Sequence, residues 1–192
     1  MGINVTTLPT QEPVTLAEAK AHLGVFTSDD DAMINSLIKA ARQSVEVFTS
    51  RAICTQTVTL TLDSFPAKIT LPRMPVQSIT SISYIDENGS TQGFTDFKAE
   101  LTGSVDASIS PAYEKTFPAT RSESSAVSVV YVCGYGNQTD SPDTIPFPIK
   151  QAILLLVGSM YNNRENEVIG VSVNEVPINV RWLLNAYRLT LM

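Results

Sequence analysis

The sequence predicts an α+β protein, a small helical bundle with an inserted antiparallel β subdomain. Apolar residues recur at three- and four-residue steps near both ends of the chain, the signature of helices with one core-facing stripe. Between those stretches the period falls to two and β-branched residues accumulate, the signature of half-buried strands. Helices and strands thus occupy separate blocks, which favours α+β over an alternating βαβ architecture. We read the chain as a single domain over residues 1–192, with a helical part at 14–50 and 146–190 and a β insertion at 54–135.

Thr15-Leu16-Ala17-Glu18 is a capping box, in which the Thr15 hydroxyl accepts from the Glu18 amide and the Glu18 carboxylate reaches back to the Thr15 amide. It predicts a short helix over 16–23, ended by Gly24 in a left-handed conformation. Ser28-Asp29-Asp30-Asp31 places caps and negative charge at the start of a second helix running to about Ser50. Its stripe is Ile34, Leu37, Ile38, Ala41, Val45 and Phe48; Lys39, Arg42, Gln43 and Glu46 are assigned to the solvated side.

From Cys54 onward, Thr55, Thr57, Thr59 and Thr61 alternate with Gln56, Val58, Leu60 and Leu62, a strand with one apolar face. Further strands are expected at 68–71 and 79–85, followed by a turn at Asp86-Glu87-Asn88-Gly89, because Asn-Gly takes positive φ readily. Residues 94–101 are expected to continue the pairing, and 102–120, with Pro111 and Pro118, to be irregular. Residues 126–133 form the clearest strand, ended by Gly134 and Gly136 and the polar run 137–144. Pro146 and Pro148 open a third helix, since proline is tolerated in the first turn. That helix reaches about Asn163, and Leu154 and Leu155 make it apolar nearly all round, hence central. Beyond it, 164–167 is polar, 168–173 is extended and β-branched, and Pro177 precedes a last short helix over about 180–189 carrying the only tryptophan, Trp182.

At 192 residues the chain buries a core without disulfides. Cys54 and Cys133 lie in apolar stretches and read as small buried hydrophobes; two cysteines give no spacing pattern, so a bond between them stays open. The net charge of −6 argues against a phosphate-gripping surface. The first fifteen residues lack the basic and apolar regions of a secretory signal, and the apolar run 152–157 is far below the ~20 residues that cross a bilayer, so no membrane partner is expected.

The search for chemistry is short. His22 has no His, Cys or carboxylate partner at ligand spacing. Asp29, Asp30 and Asp31 read as helix-dipole caps rather than cation ligands. No nucleophile elbow, phosphate loop, dinucleotide fingerprint or zinc-protease motif is present. Tyr131 and Tyr135 have no interleaved Lys or Arg and read as packing. The expectation is a non-enzyme with no cofactor and no metal.

The order and spacing of several segments resemble the head-to-tail connector family of tailed bacteriophages, also called adaptor or head-completion proteins. They are Pro13-Val14-Thr15-Leu16-Ala17-Glu18-Ala19-Lys20-Ala21-His22-Leu23, the Asp29-Asp30-Asp31 start, Ala40-Ala41-Arg42 with Val45-Glu46, and Thr55-Gln56-Thr57. Phe65-Pro66, Leu71-Pro72, Pro75-Val76, Ser81-Ile82-Ser83-Tyr84, Ile145-Pro146, Ile149-Lys150-Gln151-Ala152 and Tyr161-Asn162-Asn163-Arg164-Glu165 complete the set. The resemblance implies a structural virion protein at the head-tail junction, made in the bacterial host cytoplasm. It further implies a homo-oligomeric ring, commonly a dodecamer, between the portal protein and a tail-side stopper or tail-completion protein. DNA passes through the channel of such a ring without specific binding. Because the C-terminal segment commonly engages the portal in this family, residues 171–192 are the docking candidate, with Trp182, Tyr187 and Arg188 as anchors of the residue types frequent at interfaces. The competing reading has Trp182, Leu183 and Leu184 capping this subunit's own core. Two alternatives stand beside the connector: a tail-terminator or tail-completion ring, and a small-molecule-binding or hydrolytic domain built on the β block.

Overall fold

The structure is a computed structural model and describes residues 1–101, 106–136, 144–163 and 178–189. The expectations for 164–167, 168–173, Pro177 and all but the end of 137–144 lie outside the described residues. Two compact units form: Met1–Pro9 with Thr55–Tyr135, and Thr10–Cys54 with Gly136–Met192.

The first unit is β. Its strands are β1 (Gly2–Thr7), β2 (Gln56–Leu62), β3 (Ile69–Thr70), β4 (Val76–Ile85), β5 (Thr91–Gly93), β6 (Phe97–Glu100), β7 (Ser108–Pro111) and β8 (Val127–Cys133). A five-stranded antiparallel sheet has the order β1-β2-β8-β4-β5. β8 is its centre, and its strict alternation buries Val127, Val129, Tyr131 and Cys133 on one face. Leu60 pairs with Val129 and Val58 with Tyr131, so the alternating Thr/apolar pattern of β2 puts its apolar half on that same face. The Asp86 turn forms as expected: its carboxylate accepts from the Asn88 and Ser90 amides, and Gly89 sits at φ +84°.

Two expectations are corrected here, and one strand comes with no expectation behind it. Residues 2–7 form a strand that the apolar pattern does not announce, because β1 is exposed along almost all of its length. Of residues 94–101 only Phe94 stays with the first sheet, its amide donating to the Ile82 carbonyl at 2.8 Å; β6 instead pairs with β7 in a second sheet of order β3-β7-β6. β7 in turn is a strand inside the stretch expected to be irregular, held by the pairing of its buried Ile109 with buried Ile69. Phe65, Phe94 and Phe117 cluster beside these strands, with Phe65 stacked on Phe117 at 4.6 Å.

The second unit is helical: α1 (Leu16–Leu23), α2 (Asp31–Thr49), α3 (Phe147–Asn162) and α4 (Ile178–Asn185). Both halves of the Thr15/Glu18 capping box are present, and Gly24 closes α1 at φ +69°. Burial raises the Glu18 pKa, but hydrogen bonds from the Thr15 amide and hydroxyl outweigh it and hold the carboxyl below its ordinary value. Tyr161, in the last turn of α3, donates to the Asp30 carboxylate at the start of α2, so these two helices run antiparallel. The two helices pack on each other, and of the predicted α2 stripe Ile34, Ile38, Ala41 and Val45 are buried while Leu37 and Phe48 are half-buried; α3 buries Ile149, Ala152, Ile153, Leu156 and Val157. α4 starts directly after Pro177 and stops at Asn185, four residues short of the expected end.

Candidate functional site

α4 is eight residues long and amphipathic. Val180 and Leu184, one turn apart, are buried; Arg181, Trp182 and Asn185 face solvent. The two readings of this segment therefore part company within it. Leu184 caps the subunit's own core, whereas Trp182 is 78% exposed and does not.

The residues after α4 turn back onto the C-terminal end of α2. The Leu189 amide donates to the Thr49 carbonyl at 3.0 Å, supplying a partner to one of the acceptors that a helix end leaves open. Arg51, itself buried, donates through Nε to the Tyr187 carbonyl. The Arg188 guanidinium lies 5.5 Å from the centre of the Phe48 ring, a cation–π contact. The three anchors named from sequence thus sit on one short stretch but in different states. Trp182 projects freely into solvent, Arg188 is exposed yet rests on Phe48, and Tyr187 is half-buried with its carbonyl engaged.

Sequence reasoning missed a buried ionic cluster in the same unit. Arg42 and Glu46, assigned to the solvated side of α2, are 6% and 8% exposed. Arg42 Nε contacts a Glu12 oxygen at 2.7 Å and Nη1 contacts Glu46 at 2.8 Å. Glu46 also accepts from the Ile53 amide at 3.0 Å. Burial disfavours the guanidinium cation, but the two carboxylates outweigh that and raise its pKa further. The residues flank Ala41 and Val45 at the edge of the apolar stripe, and their four-residue spacing is the signal that could have paired them. The cluster fastens chain on both sides of α2: Glu12 ahead of α1, and Ile53 just past the αL cap at Ser50.

The other candidates have structural occupations. Asp31 pairs with Lys20 at 2.6 Å. His22 is exposed near the end of α1, close to Gly158 of α3. Cys54 and Cys133 are free and buried, and burial pushes the Cys54 thiol up to about 12 against a smaller opposing pull from Arg42. The buried Tyr131 hydroxyl donates to the Pro72 carbonyl at 2.7 Å. Among the described residues, no group of three or more His, Cys, Asp and Glu converges, and no helix is long and apolar enough to cross a membrane.

Solved structures share the fold over the whole chain. A chain in the neck of an empty gene transfer agent (GTA) particle computed with C6 symmetry matches with a TM-score of 0.80, and one in the virion of the native GTA particle likewise at 0.80. A chain in the neck of the native GTA particle computed with C12 symmetry matches at 0.77. Each is 22% identical, and each match covers 100% of this chain and 97% of the other. The chain belongs to the phage gp6-like head-tail connector protein family, whose profile matches residues 13–121 and 123–188. No curated protein matches it in sequence.

Proposed function

We propose that this chain is the subunit of a ring that sits between portal and tail at the head-tail junction of a virion and extends the DNA channel. The observation that carries the reading is the family match, which takes in almost the whole chain from Pro13 to Arg188. Full-length likeness in fold to chains from necks computed with C6 and C12 symmetry supports the ring. In this role the protein acts by contact rather than by catalysis, and its net charge of −6 keeps DNA moving through the bore rather than adhering to it. Its partners are other copies of itself, the portal protein on one side and a tail-side stopper or tail-completion protein on the other.

Trp182 is the portal-side anchor, assisted by Arg188 and Tyr187. An exposed indole is a side chain that contributes strongly once a partner excludes water from it. The test mixes the purified protein with DNA-filled, tailless heads and images the portal vertex by negative stain. Ring density is expected at the vertex with the native sequence. With Trp182→Ala that density should fall at least tenfold, while the subunit's unfolding free energy stays within about 0.5 kcal/mol of the parent, as for other exposed positions. Failure of the native protein to bind heads would overturn the connector reading; undiminished binding by the variant would overturn only the assignment of Trp182.

A further inference from the structure

α2 carries a second stripe. Its core stripe, Ile34, Ile38, Ala41 and Val45, takes up about 60° of the helix circumference at 3.6 residues per turn. Met33, Ser36, Ala40, Gln43 and Val47 fall within about 80° on the opposite side, at alternating steps of three and four residues. That spacing is the heptad seam along which one helix packs against another. Met33 and Ala40 are half-buried and the other three are exposed. The residue types agree with the spacing. Of the seven residues of α2 that are exposed, only Lys39 carries a charge, whereas the solvated face of a helix is ordinarily charged and polar. Val47, apolar and β-branched, is 80% exposed. Ser36 and Ser44 donate their hydroxyls to the Ala32 and Ala40 carbonyls at 3.0 and 2.9 Å, which commits their protons to the helix itself.

We propose that this seam is the face by which one copy of the chain packs on a second copy, so that neighbouring subunits of the ring meet along α2. The inference rests on the ring reading above. From Met33 to Val47 the seam is about 21 Å long at 1.5 Å per residue, and it holds no charge. Contacts between identical subunits are poorer in charge than the surface around them, which is the composition seen here. Lys39 borders the seam, immediately before Ala40, at the flanking heptad position where packed helices pair charges across their boundary. A chain of net charge −6 supplies the complementary carboxylates on every neighbour. In a cyclic ring of more than two copies a face does not meet itself, so the seam meets a different surface of the next subunit.

The test uses full-length protein. Light protein carrying the photo-cross-linker p-benzoylphenylalanine at position 47 is mixed with isotopically heavy native protein, assembled on heads and irradiated, and linked peptides are read by mass spectrometry. The expected product joins position 47 of a light copy to a different position of a heavy one. Val47→Glu, which places a carboxylate on the seam, should lower ring density at the vertex at least tenfold. Links from position 47 to the portal alone, links only between position 47 of one copy and position 47 of another, or no link where rings have formed would each overturn the inference and leave the connector reading standing. Undiminished rings from Val47→Glu would do the same; should that variant fail to fold, the cross-link decides. If the native protein forms no ring on heads, the connector reading falls and this inference with it.

Discussion

Among the described residues, the β unit keeps its interior neutral. Its largest fully buried side chain, Tyr131, donates a hydrogen bond to the Pro72 carbonyl, and its other buried polar side chains, Gln56 and Ser108, carry no charge. The helical unit instead takes whole charges inside, Arg42 and Glu46 against Glu12 and Arg51 against the Tyr187 carbonyl. The sheet's ladder already satisfies the backbone through its registers, so little is left for side chains to fix. In the helical unit, the loops entering and leaving the bundle have no ladder, and directional hydrogen bonds, several of them to a charged side chain, hold them: Glu12 before α1, Ile53 after α2, and residues 187–189 after α4. The two interiors therefore fail in different ways.

Arg42→Met should have the largest effect, destabilising the helical unit by about 3–5 kcal/mol, because it strands two carboxylates in a poorly hydrated place. Urea unfolding followed by circular dichroism at 222 nm measures it. The comparison sharpens with the triple variant Glu12→Gln, Arg42→Met, Glu46→Gln, which removes the charges together and should cost less than Arg42→Met alone. Equal or greater cost would mean that the cluster stabilises by attraction rather than merely tolerating burial.

In the neutral interior the matching deletion is smaller. Tyr131→Phe keeps the ring and forfeits one hydrogen bond, for an expected loss of about 1 kcal/mol in the same assay. Alongside it stands the start of α1, where Thr15→Ala should cost at most about 1 kcal/mol. Its pH dependence carries a definite sign. Glu18 has a folded pKa below its unfolded value near 4.5, so its contribution is complete above that value and is lost as pH falls through the lower folded one. Acid titration of stability should therefore be steeper below pH 4.5 in the parent than in Thr15→Ala, and parallel curves would refute the assignment.

Much of this architecture could be read before any coordinates, and the reasons are local. The capping box, the Asn88-Gly89 turn, the stripe of α2 and the alternation of β2 and β8 are written within a few consecutive residues. What escaped was non-local or ran against residue type. β1 exists only because β2, more than fifty residues away, pairs with it, and exposed residues give no burial pattern to read. Charged side chains are assigned outward by default, which puts Arg42 and Glu46 in solvent, although Arg42 pairs with Glu12 and Glu46 together and is buried between them. At the candidate site, sequence brought Trp182, Tyr187 and Arg188 together as a segment but could not apportion α4 between the subunit's own core and its surface. The four-residue step from Val180 to Leu184 makes that division. Apolar periodicity also carried α4 on to Leu189, whose amide turns away to serve Thr49.

That last bond sets the terms on which the end of the chain can be recruited. Leu189 occupies a place at the tip of α2 that the helix's own next turn would otherwise have filled, while Arg51 holds the Tyr187 carbonyl from below. Under the proposed docking at Trp182, a partner that leaves residues 187–189 seated forfeits neither of these bonds. One that peels those residues away must furnish a new donor for Thr49 and a new acceptor for Arg51, or lose about 1–3 kcal/mol at each. Recruitment by grasp is therefore favoured over recruitment by unzipping.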